Sequence, residues 1–301
     1  MMTVHLTLGP IQYNWSRDRR LAFYQEIAAS AVDTVVLGET VCFRRTPFLR
    51  EAIAEEATLL LEAGKRVVMS TLALAVSAAE RADVAALCGQ AELLTEANDA
   101  GALYHLRGRP HWAGPFLNTY SPGTVAVLAA NGAEQVCLPW ELSLDSIRHI
   151  GRDAAGLRLE APVFGRVPLA ISARCYHARV HGLSKDGCQY VCDRDPAGMT
   201  VETLEGADFL RVNGVQTLSG AVHAAIHEVP GLLAAGVESL RLMPEAGDMR
   251  AVIAAFRAVT EGQHSLMEAE QEIRAATGGE VLCNGFLHGV DGTAWVDSTA
   301  A

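Results

Sequence analysis

Cys175, Cys188 and Cys192 fall within one short stretch, RCYHARVHGLSKDGCQYVC, running from Arg174 to Cys192. The C-x12-C-x3-C spacing supplies three thiols from a turn-rich segment. That is how a chain wraps a soft metal centre rather than how it packs a core. A fourth ligand is needed, and Cys42, Cys88, Cys137 and Cys283 are the candidates. Cys88 sits in the Ala-rich helical run DVAALCG, where a small buried thiol is the ordinary outcome. Cys137 is flanked by Val136 and Leu138 in a strand and is predicted to point into a packed layer. Cys42 follows a strand in GETVC, on the same predicted face as Cys175, which makes it the best-placed fourth ligand. Cys283, in LCNGF, is the next. Zinc sites usually set their thiols in knuckles about two to four residues apart, and only the 188/192 pair looks like one. Spacing therefore leans toward iron–sulfur. It leaves zinc open, including a mixed site that uses His177 and His181.

The elements that must position these thiols are legible as an alternation. Short β-branched runs occur at Val4 to Leu8, Asp33 to Gly38, Lys65 to Ser70, Ala91 to Glu96, His111 to Asn118 and Gln135 to Glu141, with helical patterns between them. In one helix Ile53, Ala57, Leu60 and Leu61 mark an apolar face, and Glu51, Glu55 and Glu56 fall on the other. Strands at intervals of roughly 20 to 30 residues, each followed by a helix, predict repeated βα units and a parallel sheet. No Gly-rich phosphate fingerprint follows the first strand, where GPIQYNW stands. That argues against an open dinucleotide-binding sheet and for a TIM-barrel-like (β/α) barrel.

A seventh strand is predicted within Arg158 to Cys175, after which the repeat breaks. The expected organisation is one barrel domain over residues 1–301, with an irregular cysteine-rich insertion at about 174–220. That insertion carries an alternating run at Phe209 to Val212 and a turn at Asn213-Gly214. A further βα unit resumes at Glu238 to Met243, with a helix from Asp248 to Val259, and a loose tail is expected over about 284–301. In such a barrel the strand-end residues Glu39, Glu96, Asn118 and Glu141 converge on the mouth where chemistry is done. Arg174 is suited to gripping a carboxylate. Glu39, Glu141 and Arg174 are the weak catalytic candidates. Each also has a plain structural role open to it, as a loop cap or an ion-pair partner.

The composition removes some classes of partner. The chain has 301 residues, 50% of them hydrophobic and 20% charged, and a formal net charge of -11 from 24 basic and 35 acidic residues. With no basic run, a nucleic-acid backbone is not an expected partner. No signal-like segment or stretch of about 18 apolar residues is present, so a cytoplasmic protein without a membrane span is expected. In that compartment the seven cysteines read as free thiols or metal ligands.

Several of these segments carry a resemblance. Glu160-Ala-Pro-Val-Phe-Gly165, followed by Ser172-Ala-Arg174-Cys175, resembles the signature of the collagenase-like peptidase (U-32) family. Pro162 departs from it where an aromatic is usual, and Pro168 stands where the first cysteine of a pair is expected. The loss at 168 together with the gain of GETVC at Cys42 is similar to one subgroup. Also shared with that subgroup are the opening LGP, STLAL at Ser70 to Leu74, PWELS at Pro139 to Ser143, PLAISARC with the nearby His-Ala-Arg, and NGVQTLSG at Asn213 to Gly220.

The resemblance implies a [4Fe-4S] cluster held by Cys42, Cys175, Cys188 and Cys192. It also implies a heterodimer with a UbiU-like homologous subunit that hydroxylates the ring of a ubiquinone precursor without O2. Prephenate, which relatives use as an oxygen source, is the donor it suggests. Two other functions remain in view: an accessory subunit that carries the cluster without doing chemistry, and the peptidase activity of the family name. Against the latter, the sequence contains no H-E-x-x-H helix and no G-x-S-x-G elbow.

Overall fold

Short runs rich in Val, Leu and Thr form the strands of this protein, and eight of them close on one another. The computed structural model describes residues 4–154 and 156–297. In chain order the strands are β1 (His5–Leu8), β2 (Thr34–Leu37), β3 (Arg66–Ser70), β4 (Thr95–Ala97), β5 (His111–Ala113), β6 (Ala133–Cys137) and β7 (Arg158–Ile171). They continue with β8 (Met199–Glu202), β9 (Asp208–Asn213), β10 (Gln216–Ala224), β11 (Val237–Leu242) and β12 (Leu282–Cys283). Strands β1 to β7 pair in order and in parallel, and β11 closes the ring by pairing in parallel with both β7 and β1. The predicted (β/α) barrel is therefore the fold.

Helices start where the sequence places an N-cap. Ser16, Ser77, Asp99, Ser121, Ser143, Asp248 and Ser265 each accept a hydrogen bond from a first-turn backbone N–H. The main core lies between strands and helices, where Leu6, Leu8, Val35, Leu37, Val136, Leu159 and Leu240 pack with Ile27, Leu60, Leu128, Ile147 and Phe256. One expectation for the helix at Thr46–Glu62 is corrected. Glu56, expected on its polar face, is buried and pairs bidentately with Arg20 at 2.8 and 2.7 Å, while Leu61 is 59% exposed. A planar guanidinium satisfies both carboxylate oxygens at once, so the pair can enter the interface between the first two helices.

The inside of the barrel is polar. Glu96 on β4 reaches Arg241 on β11, and since those strands are not neighbours, the contact crosses the interior. Glu160 on β7 meets the same guanidinium at 2.6 Å and accepts a hydrogen bond from Ser239 at 2.9 Å. Two carboxylates thus share one cation in a space closed to water.

Strand β7 outruns the barrel. Its first part pairs with β6 and β11, and beyond Phe164 it turns to pair antiparallel with β10, which carries β9 and β8 outward. Gly165 is the pivot: its φ is +119°, and a Cβ there would meet the Met243 Cβ at 2.6 Å. Only glycine accommodates both constraints. The expected alternating run is β9, and Gly214 (φ +64°) makes its hairpin with β10.

The C-terminal tail differs from the loose segment expected. Asn284 donates to the Val296 carbonyl at 3.0 Å and accepts from its N–H at 2.7 Å, and Arg274 lies over the Trp295 ring. These contacts tie residues 284–297 to the barrel, and residues 298–301 lie outside the described ones. Among the described residues no helix is long and apolar enough to cross a membrane.

Candidate metal centre

Cys42 leaves the C-terminal end of β2 in a loop organised by Glu39. The Glu39 carboxylate accepts the N–H groups of Val41 and Cys42, both at 2.8 Å, and lies 3.8 Å from the Arg45 guanidinium. Of the two roles open to Glu39, its contacts are those of the cap. They hold the Cys42 backbone in an extended conformation ahead of a single 3-10 turn at Phe43–Arg45.

The other three thiols come from the insertion. Cys175 caps the short helix Tyr176–Val180, its sulfur accepting from the Ala178 N–H at 3.3 Å. Between Cys188 and Cys192 the backbone does something costly: Gln189 and Tyr190 both adopt left-handed conformations, at φ +49° and +57°. Such positions cost non-glycine residues roughly 1–2 kcal/mol each and persist where surrounding structure enforces them. Here Tyr190 is held edge-on by Phe48, and Trp15 donates to the Pro196 carbonyl at 2.6 Å. The strained turn brings both sulfurs of the C-x3-C pair to the same side.

Cys42, Cys175, Cys188 and Cys192 line one cavity, together with Arg44, Arg45, His177, Lys185 and Gly214. Cys88, Cys137 and Cys283 are buried elsewhere, in a helix, at the end of β6 and in β12. Among the described residues, His177, His181 and Asp195 form a three-ligand group whose donor atoms lie within 4.8 Å of one another. The two histidines thus group with Asp195, at 2.9 Å from His177, rather than with the cysteines.

The surroundings suit an anionic group with acceptor atoms. Arg45 is 2% exposed and donates to the Cys192 sulfur at 3.5 Å, and Arg44 donates to Cys188. The Nε atoms of both arginines are buried without a partner. Buried donors left unpaired are costly, and the sulfides of a cluster would accept from them. Without a metal, burial pushes the Cys42 thiol up to about 11, with Arg45 opposing the rise, and raises Cys175 as well. Burial also raises Cys88, Cys137 and Cys283. A thiol nucleophile needs a shift in the other direction.

The remaining candidates are scattered. Glu96 belongs to the barrel interior with Arg241. Arg174 is exposed, and among the described residues no acidic group lies within 4 Å of its guanidinium, so the salt bridge to a barrel acid is not made. Asn118, left-handed at φ +55°, and Glu141 line a second cavity of about 340 Å³ beyond the ends of β5 and β6. Phe116, Trp140, Pro168 and Ile171 supply its apolar walls, and Glu141 accepts a hydrogen bond from Tyr120. Pro168 therefore belongs to the mouth cavity and does not line the thiol cavity. Sequence reasoning missed Arg44 and Arg45. Two adjacent arginines one residue beyond GETVC were the available signal.

With this geometry in place, comparison with known proteins identifies the family: the model of peptidase family U32 matches residues 20–297. The chain belongs to peptidase family U32. Among solved structures, the U32 peptidase Mk0906 superposes with a TM-score of 0.46 at 10% identity, covering 82% of this chain and 95% of that one. N-acetylneuraminate lyase from Aliivibrio salmonicida gives 0.47 at 10% identity, covering 91% and 79%. The tryptophan synthase complex from Pyrococcus furiosus gives 0.40 at 10% identity, covering 92% and 98%.

Proposed function

We propose that this U32 chain is a UbiV-like iron–sulfur subunit that works in the cytoplasm with a UbiU-like homologous partner to hydroxylate a ubiquinone precursor ring without O2. The observation that carries this reading is the single cavity lined by Cys42, Cys175, Cys188 and Cys192. Buried, unpaired Nε donors on Arg45 and on the partly exposed Arg44 support an anionic cluster there. A [4Fe-4S] cluster would supply one-electron chemistry at the rim of the barrel. The chain's own residues would do the rest. Trp140 and Phe116 offer flat apolar surface for an aromatic ring, and Asn118, Tyr120 and Glu141 offer polar contacts at its edge.

The test is anaerobic purification with and without the partner, followed by iron and sulfide analysis and assay of ring hydroxylation with prephenate as the donor. About four irons per chain and turnover only with both subunits is the expected result. A colourless zinc protein would overturn the cluster. Undiminished turnover by the partner alone would make this chain an accessory, and cleavage of unfolded or collagen-like substrates would restore the peptidase reading.

A further inference from the structure

Among the described residues Arg45 is the one fully buried arginine or lysine at the four-thiol cavity, and three groups accept from its guanidinium. Its guanidinium donates to the Gln12 carbonyl at 2.7 Å, to Asn213 Oδ1 at 3.0 Å and to the Cys192 sulfur at 3.5 Å. Glu39 sits 3.8 Å away on the other side, with its carboxylate fixed by the N–H groups of Val41 and Cys42. The backbone has been shaped to admit this arginine: at Gly214 a Cβ would stand 3.1 Å from Arg45 Nη2. Arg44 and Lys185 also reach the cavity, but they are partly exposed and spend part of their charge on Asp186 and Glu80.

From this arrangement we infer that Arg45 sets the reduction potential of the four-thiol centre, with Glu39 as its counter-charge. The inference rests on the four-iron reading above. Four thiolates on an oxidised cluster leave a net charge of about −2, and one-electron reduction from [4Fe-4S]2+ to [4Fe-4S]+ deepens it to about −3. A fixed cation in a water-excluded site stabilises the more negative, reduced form, and a fixed carboxylate opposes it. Arginine keeps its charge under all conditions the protein meets, so it acts as a constant bias rather than a switch. Its donation to a ligating sulfur pulls in the same direction, because hydrogen bonds to cluster sulfurs raise the potential.

The experiment is a potentiometric titration of the anaerobically reconstituted protein. Dithionite supplies the electron and the EPR signal of the reduced cluster is the readout, after iron and sulfide analysis of every sample. Arg45→Gln should shift the reduction equilibrium toward the oxidised cluster by at least tenfold, about 59 mV for one electron. Arg45→Lys should recover most of that shift. Glu39→Gln keeps an acceptor for the two loop N–H groups and should shift the equilibrium the other way. It carries the test by itself if Arg45→Gln loads no cluster. Loaded variants whose potentials all coincide with the wild type overturn the inference and leave the proposed function standing. A wild-type chain that takes up no iron overturns the proposed function, and the inference with it.

Discussion

Replacing Arg241 with Met should destabilise the barrel more than any other single change in its interior. Arg241 is 1% exposed, and its guanidinium is shared by Glu96 and Glu160, which are 1% and 0% exposed. Removing one partner from a single buried ion pair costs about 3–5 kcal/mol, because the remaining charge stays in a place water cannot reach. Here two carboxylates lose the same cation and are left facing each other, so the loss should reach about 5 kcal/mol or more, a large share of a typical total of about 5–15 kcal/mol. The cost comes from stranded charge rather than lost packing. The triple variant Arg241→Met, Glu96→Gln, Glu160→Gln should therefore recover most of it, whereas Arg241→Lys keeps the charge without the reach of the Nη2 atom that meets both carboxylates and should recover only part. Urea unfolding followed by circular dichroism measures all three. A single variant that loses less than about 1 kcal/mol, or a triple variant no better than the single, would refute the reasoning.

Alanine at Cys42, Cys175, Cys188 or Cys192 should bring iron well below about four per chain after reconstitution, while alanine at Cys88, Cys137 or Cys283 should leave it unchanged; iron and sulfide analysis separates the two sets. Glu56→Gln should cost about 3–5 kcal/mol in urea titrations by stranding Arg20, with much of it regained in the double variant carrying Arg20→Met. Burial pushes the His223 imidazole down to about 4, with its hydrogen bond to the Pro162 backbone opposing. Unfolding restores an ordinary value of about 6.5, so stability present above pH 6.5 is lost as pH falls toward 4, by about 2 kcal/mol at pH 5. The His223→Gln variant should lack that slope in urea midpoints measured between pH 7 and 5.

What could be read from the sequence was periodic or chemically conspicuous. Repeated β-branched runs predicted the barrel, since a parallel sheet buried on both sides needs them, and the break after β7 was visible because its turn residues fit no βα unit. The grouping of Cys42 with three thiols more than 130 positions along was approached by placing strand ends on a common face, which any closed barrel enforces. The misreadings have one origin. Glu56 looked solvent-facing because helical periodicity carries no information about a partner on another helix. Adjacency in sequence likewise does not place a cation at the thiols: Arg174 adjoins Cys175 and faces solvent, while Arg45, far away in sequence, occupies the buried position. The tail looked loose because its composition is small and polar, but Asn284 and Trp295 anchor it through specific contacts that composition does not encode.

The position of the thiol centre follows from the topology. Cys42 leaves β2 and the other three thiols follow β7, and in the closed ring β11 and β1 stand between those strands. The insertion must therefore pass over the loops that leave β11 and β1, and the side chains there record the crossing. Gln12, just after β1, accepts at its carbonyl from both Arg45 and Asn213, and its side chain meets Gln216 at 3.2 Å. Tyr13 donates to Glu245, after β11, at 2.7 Å, and Glu245 accepts the Arg166 N–H from β7 at 2.8 Å. A cluster at the four thiols would add a covalent tie to a hydrogen-bonded bridge that already joins four of the eight barrel strands. Binding free energy delivered at such a point is shared by every loop it joins. The same crossing bears on the left-handed residues at Gln189 and Tyr190: a turn that must place two sulfurs beside a third strand-end thiol has little freedom left, and Phe48 packs edge-on against Tyr190 within it.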